Sequence, residues 1–177
     1  MPIDHLRIAL TFRLATAKDV ADIARISVRS WQAAYRGILP KPYLDALATA
    51  KREAFWKQTI ARGTPRVILA QRDDITLGWI AWGPSRDRDP RRTVAEIEAL
   101  YIDPLHWRKG AGTLLIEEAI EAAASEGYRE MTLWVLEENK RGRSFYETLG
   151  FTADGAFHPL NVGGRDVDEM RLRLKIQ

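Results

Sequence analysis

Cysteine is absent from the 177 residues, so the chain can form neither a disulfide bond nor a thiolate metal site. The absence also excludes an acyl-cysteine intermediate, because no thiol nucleophile is available. The three histidines, His5, His106 and His158, lack the spacing of metal ligands, and no metal is assigned. No apolar run approaches the roughly 20 residues that span a bilayer. Asp4, His5 and Arg7 interrupt the first ten residues, so we expect no signal peptide and a cytoplasmic protein.

Charge of either sign is in only slight excess. Lys and Arg total 27 against 24 Asp and Glu, a net charge of +3. This excess does not demand a nucleic-acid partner, although it suits an anionic cofactor. One arginine-rich stretch is interleaved with aspartates and predicts a solvated loop, with a substrate-facing role as the alternative; its arginines are Arg86, Arg88, Arg91 and Arg92. The length suits one domain, 1–177, with 1–10 as a short N-terminal extension.

The most informative stretch is residues 93–115, which predicts a strand, a turn, a glycine loop and a helix start. Its strand, 94–102, is apolar apart from two carboxylates, Glu96 and Glu98, and ends before a proline. Gly110 and Gly112 follow and open a helical run. Glycines let backbone N–H groups turn outward, and a helix N-terminus adds roughly half a positive charge. The loop therefore predicts an anion site, a phosphate in particular.

The spacing of this loop excludes two common phosphate motifs. A dinucleotide fingerprint needs a third glycine where Leu115 stands. A P-loop needs a lysine directly after its last glycine, and Thr113 follows Gly112 instead. A strand-to-helix turn without any ligand remains the alternative interpretation.

A second motif lies in the last third of the chain. Asn139 stands where a helix N-cap is wanted, and Tyr146 follows seven residues later, about two helical turns. Both side chains can therefore project toward one side of a ligand. Without a ligand, Tyr146 is a core tyrosine on an amphipathic helix.

Both motifs resemble those of the GNAT acetyltransferases. The loop is similar to the R/Q-x-x-G-x-G/A pyrophosphate loop, with Trp107 at the usual Arg/Gln position. The second motif is similar to N-x-x-A-x-x-F-Y-x-x-x-G-F, with Gly142 in place of alanine. The order β-α-α-β-β-β-α-β-α-β-β over residues 12–174 also resembles this family. The resemblance implies an α/β (α+β) GNAT fold: a mixed twisted sheet of six to seven strands with helices on both faces.

The resemblance also implies roles for individual residues. Tyr146 would be the general acid, and Glu96 matches the position of the catalytic glutamate in histone-type members. Glu98 alternates onto the same face, and a water chain could replace either carboxylate. Trp31 and Tyr35 would lie beside the acceptor site, unless they only pack between helices. Acetyl-CoA, used as a co-substrate without a metal, would be bound by Leu100, Tyr101, Ile102, Trp107, Arg108, Lys109, Gly110, Ala111, Gly112, Thr113, Asn139, Phe145 and Tyr146.

The resulting prediction is an acetyl-CoA-dependent N-acetyltransferase that transfers the acetyl group directly, in a ternary complex, to a primary amine. The acceptor would be a small molecule such as a polyamine, an amino acid analogue or an antibiotic. A protein N-terminal or lysine acetyltransferase and a non-catalytic acyl-CoA sensor are the alternatives. The balanced aspartates and the absence of a reader motif argue against nucleic acid. The protein is expected to be a monomer or a homodimer without membrane partners.

Overall fold

The computed structural model describes residues 10–87 and 93–176, which form a seven-stranded mixed sheet in the order β1-β2-β3-β4-β5-β7-β6. The predicted fold class is confirmed. Except for Leu10, the predicted N-terminal extension lies outside the described residues, as do Arg88, Arg91 and Arg92. The strands are β1 (Thr11–Leu14), β2 (Arg66–Arg72), β3 (Ile75–Pro84), β4 (Val94–Ile102), β5 (Glu130–Leu136), β6 (Thr152–Val162) and β7 (Arg165–Lys175).

Helices cover both faces of the sheet, and local chemistry explains the start of α1 and the end of α3. A capping box of Thr16 and Asp19 precedes α1, and the left-handed Gly63 ends α3. The short helix α2 has Pro42 in its first turn, where a missing backbone N–H costs no helical hydrogen bond. None of the described helices is long and apolar enough to cross a membrane. The helices are α1 (Val20–Ala34), α2 (Lys41–Asp45), α3 (Thr49–Arg62), α4 (Ala111–Ser125) and α5 (Lys140–Thr148).

Two apolar cores hold the helices against the sheet. On one face, α4 buries Leu115, Ile116, Ala119 and Ala123 against strand residues such as Ile97. On the other, α1 and α3 pack around a strand tryptophan; this core comprises Ile23, Ile26, Trp56, Val67, Leu69, Trp79 and Ala81. Burial of these side chains, worth about 1.5–3 kcal/mol for each large one, fixes the sheet between the helices.

The centre of the sheet is split where β4 and β5 diverge. The two strands pair in parallel over only four residue pairs, the last being Ile97 with Leu133. On its other side β4 is irregular: Ala81 pairs with Ala99 and Trp82 with Ile97, which leaves Glu98 as the extra residue of a β-bulge. A bulge bends its strand and redirects a side chain. The split therefore opens beside Glu98.

Candidate active site

A cavity of about 560 Å³, here called the wedge cavity, fills the split between the ends of β4 and β5. The end of β4, the glycine loop, the start of α4 and the start of α5 line it. It thus brings together the two motifs that the sequence predicted to act on one ligand. Of the residues predicted to bind cofactor, the wall contains Leu100, Tyr101, Ile102, Trp107, Arg108, Gly110, Ala111, Gly112, Thr113, Asn139, Phe145 and Tyr146.

The loop before α4 has the backbone geometry of an anion site. Arg108 and Gly110 both adopt left-handed conformations, with φ of 60° and 85°. In the described structure no side chain caps α4, so the N–H groups of its first turn remain available to a ligand. A Cβ on Gly112 would lie 3.2 Å from Cζ of Phe145, so the glycine keeps this wall open. The residues present therefore fit a phosphate-bearing ligand.

Two loop side chains differ from the expectation. Trp107 lines the cavity, but its indole N–H donates to the Ile102 carbonyl at 2.7 Å and is not free for a ligand. Lys109, predicted to bind cofactor, is absent from the wall, and its ammonium donates to the Leu105 carbonyl at 3.0 Å. The Lys109 ammonium is hydrogen-bonded within the loop, and its contact with the cofactor stays a prediction.

Asn139 caps α5 as predicted, through Oδ1, which accepts a hydrogen bond from the Gly142 amide at 3.0 Å. The structure gives a reason for Gly142, since a Cβ there would lie 2.5 Å from Nδ2 of Asn139. The glycine thus makes room for the cap, and the Asn139 carboxamide remains on the cavity wall.

Tyr146 is partly buried on the wall of the wedge cavity, between the rings of Phe145 and Phe151. Burial raises its pKa well above the usual value for a phenol, and the nearby Tyr101 adds to the shift. Its hydroxyl has no hydrogen-bond partner within residues 10–87 and 93–176. The phenol therefore keeps its proton at neutral pH.

A second cavity of about 690 Å³, here called the acidic cavity, adjoins the wedge cavity. Three carboxylates on its wall, Glu96, Glu98 and Glu169, come from β4 and β7, and Asp87 adds a fourth. His158 lies beside Glu169 because β6 and β7 pair there. The wall is therefore rich in negative charge.

Arg86 bridges the two β4 carboxylates through a side chain that is 61% exposed. Its Nη2 lies 2.5 Å from Glu96 and its Nη1 lies 3.3 Å from Glu98. The Arg86 amide also donates to Glu96 at 2.8 Å. The Glu96 side chain is 1% exposed against 16% for Glu98. Burial raises the pKa of Glu98, an effect that Arg86 opposes and Glu96 reinforces.

Trp31 and Tyr35, predicted to lie near the acceptor, separate in the structure. Tyr35 lines the wedge cavity, but Trp31 lines neither cavity. The Trp31 indole donates to the Tyr101 hydroxyl at 2.7 Å and contacts Tyr35 edge to face. Arg52 stacks over its ring. Trp31 thus holds the Tyr101 hydroxyl in place, and its position beside the acceptor stays a prediction.

This geometry agrees with the comparison to known proteins. The sequence model of the Acetyltransferase (GNAT) family matches residues 25–151, which include β4, the glycine loop and α5. The chain belongs to the GNAT family. Its members are acetyltransferases, so this protein is a GNAT acetyltransferase with the fold described above.

Individual GNAT relatives span most of the chain. YuaI, an uncharacterized N-acetyltransferase of Bacillus subtilis, is 32% identical over 73% of this chain and 73% of its own length. Spermidine N(1)-acetyltransferase of Thermoplasma acidophilum is 24% identical over 82% of this chain and 90% of its own. The structure of yncA from Salmonella typhimurium with its cofactor acetyl-CoA is 25% identical, with a TM-score of 0.70, over 96% of this chain and 95% of that one.

Sequence reasoning missed several residues of this GNAT site. Glu169 and His158 come from the closing hairpin, whose register against β5 brings them to the acidic cavity. Trp134, on β5, lines both cavities and donates its indole N–H to Asp87 at 3.2 Å. Arg141 also lines the wedge cavity, next to the Asn139 cap. For Arg141, the only sequence signal was the basic run at the start of α5, which belongs to no recognised motif.

Proposed function

We propose that this GNAT acetyltransferase moves the acetyl group of acetyl-CoA to the primary amine of a small cationic acceptor. The observation that carries the proposal is the position of Glu98. The wedge and acidic cavities share only Ile97, Glu98 and Trp134 among their described wall residues. Glu98 is the one titratable group of these three. A proton-accepting carboxylate therefore stands where the two cavities meet.

The wedge cavity suits the cofactor, which would supply an acetyl thioester when bound. The uncapped N-terminus of α4 and the left-handed loop offer N–H groups to its diphosphate. Beyond Ile97, β4 has no pairing with β5, so backbone groups near Leu100 are available to the amides of the pantetheine arm. The yncA structure, which holds acetyl-CoA, supports the assignment. A backbone N–H near Leu100 would also polarise the thioester carbonyl.

Two side chains of this protein would handle the protons. An acceptor that arrives as an ammonium ion must lose a proton before its nitrogen can attack, and Glu98 would accept it, directly or through water. Burial raises the pKa of Glu98, and this brings it closer to the pKa of the ammonium group that must lose the proton. Tyr146 would donate its phenol proton to the leaving sulfur. Glu96 is nearly inaccessible and tied to Arg86, so we assign it to holding Glu98 and Arg86 in place.

The acidic cavity supports a cationic acceptor. Among the described residues, the four carboxylates of this wall, Glu96, Glu98, Glu169 and Asp87, have two arginine partners: Arg86 on the wall, and Arg171, which pairs with Asp87 at 2.9 Å. Even with Arg86 charged, the wall has an excess of carboxylates, which attract cations. Polyamines fit this charge, and the spermidine-acetylating relative supports them. Amino acid analogues and antibiotics with free amines remain in the proposed class, whereas a protein N-terminus or lysine is the alternative. One chain lines both cavities, which suits a monomer or homodimer acting in the cytoplasm on cellular acetyl-CoA.

Release of the coenzyme A thiol tests the proposal. The chain has no cysteine, so a thiol-reactive dye reports only the product. Acetyl-CoA would be assayed with putrescine, spermidine, free amino acids, phosphinothricin, an aminoglycoside and short peptides with free N-termini. We expect the highest kcat/KM for a small polycation and intersecting double-reciprocal plots. Acetyl-CoA binding without turnover on any amine would indicate the sensor, and a preference for peptides would indicate the protein-directed alternative.

A further inference from the structure

Trp107 and Arg141 form a stacked pair on the wall of the wedge cavity. The guanidinium carbon of Arg141 lies 3.8 Å from the centre of the indole ring. The indole itself is fixed, since its N–H donates to the carbonyl of Ile102. An arginine side chain on a fixed aromatic face loses little further freedom when it binds a ligand. The stack therefore preorganises the Arg141 guanidinium for binding an anion.

The positive charge of Arg141 is in an unfavourable electrostatic environment. It is the second residue of α5, and a cation in the first turn of a helix is repelled by the helix dipole. Partial burial lowers the pKa of Arg141, and the positive charge of the nearby Arg108 lowers it further. Neither arginine is paired with a carboxylate in the described parts of the chain. An anion bound between them would relieve this repulsion.

We infer that Arg141 is a diphosphate-binding residue of this protein and that Trp107 acts as its platform. The inference rests on the proposed function, because the anion is the diphosphate of coenzyme A. The indole N–H of Trp107 is already used, so the tryptophan contributes to binding through the arginine that it positions. The start of α5 thus adds a positive charge beside the glycine loop, which already contributes Arg108.

The inference is tested by the affinity of coenzyme A, measured by calorimetry. Arg141→Ala should weaken binding about tenfold at low ionic strength and less in high salt, because salt screens the lost charge. Arg143→Ala is the matched control: it lies on the same helix, outside the cavity wall, near Glu147, and should change affinity less than twofold. Both variants should melt within about 2 °C of the wild type.

Ligand fragments show which part of the cofactor Arg141 contacts. Pantetheine has no phosphate, so Arg141→Ala and wild type should bind it equally. 3′-Dephospho-coenzyme A retains the diphosphate, so the tenfold loss should persist. Disappearance of the loss with this fragment would place Arg141 on the 3′-phosphate and overturn the diphosphate assignment. Equal loss of pantetheine binding would instead indicate a structural role and also overturn it.

A double-mutant cycle tests the platform. If Trp107 acts through Arg141, then Trp107→Leu should weaken coenzyme A binding, and adding Arg141→Ala should cost less than a further twofold. Fully additive losses would contradict the platform, whether or not Arg141 binds the diphosphate. Should Trp107→Leu fail to fold, the single Arg141→Ala and fragment measurements still decide the role of Arg141. Wild-type protein that binds no coenzyme A would refute the proposed function itself, whereas binding that Arg141→Ala leaves unchanged would refute only this inference.

Discussion

The two cavities use charge in opposite ways. The wedge cavity has Arg108 and Arg141 on its wall without carboxylate partners among the described residues. The acidic cavity has an excess of carboxylates, yet two of them share Arg86 as an internal cation. An anionic ligand in the wedge cavity neutralises the unpaired Arg108 and Arg141. A cationic ligand in the acidic cavity must instead compete with Arg86 for the carboxylates. We therefore expect tight, salt-sensitive binding in the first and weaker, exchangeable binding in the second.

The largest expected effect is a loss of coenzyme A affinity from a substitution in the wedge cavity. In Gly112→Val the new side chain meets Phe145 and fills the wall, so coenzyme A affinity should fall at least ~100-fold. Ser125→Val, at the exposed end of the same helix, is the matched control for adding a β-branched residue to α4. Calorimetry measures both, and a folded Gly112→Val protein with normal affinity would remove the cofactor from this cavity.

The next effect separates the two β4 carboxylates. Glu98→Gln should lower kcat by roughly 100- to 1000-fold, the usual worth of a general base. In wild type, kcat/KM should fall as pH drops through the raised pKa of Glu98, because the protonated carboxyl can accept nothing. That acidic limb should be absent from the profile of Glu98→Gln.

Glu96→Gln is the comparison for Glu98. Its side chain is nearly inaccessible and paired with Arg86, so we expect a lower melting temperature and a retained acidic limb. A profile in which Glu96→Gln, and not Glu98→Gln, loses the limb would return the role of base to Glu96, as the sequence resemblance first suggested.

A smaller effect is expected from the acid. Tyr146→Phe removes one hydroxyl and should lower kcat ~10- to 100-fold while acetyl-CoA affinity stays constant, since a thiolate leaves fairly well without protonation. The measurement pairs steady-state kinetics with calorimetry. A fully active variant would make Tyr146 a packing residue between Phe145 and Phe151.

The smallest effect is a change in stability from an ion pair that lies outside both cavities. Asp19 accepts two hydrogen bonds from Arg13, at 2.7 and 2.9 Å, which lower its pKa from 3.8 to about 2. A lowered folded-state pKa stabilises the fold above pH 4, and this contribution is lost as pH falls from 3.8 toward 2. Because Arg13 is partly exposed, we expect Asp19→Asn to cost about 1–2 kcal/mol at pH 7 and progressively less below pH 4, with kcat unchanged. Urea unfolding across this pH range measures it; an equal cost at pH 2.5 would mean that the lost cap dominates.

The sequence predicted the fold and most of the wedge cavity because their signals are local. Gly110, Gly112, Asn139 and Tyr146 lie in two short motifs, and each strand and helix follows its own hydrophobic period. The acidic cavity was largely unpredicted because it depends on register. Glu169 reaches β4 only through the pairing of β5 with β7.

Glu98 shows a second limit on the sequence prediction. Its distinct position follows from a bulge that alternation along a strand cannot reveal. The same holds for Arg86, whose partners Glu96 and Glu98 lie ten and twelve residues further along the chain.

The short pairing of β4 with β5 has a consequence for the lifetime of the protein. In backbone hydrogen bonding the sheet consists of two panels, β1 to β4 and β5 to β7, joined by four residue pairs. A pantetheine arm bound in the gap would add reversible hydrogen bonds between the two panels. A ligand at 100 times its Kd stabilises the folded state by about 2.7 kcal/mol. Under the proposed function, resistance to unfolding and proteolysis would then rise with the supply of acetyl-CoA, so the amount of enzyme and its rate of work would respond to the same metabolite.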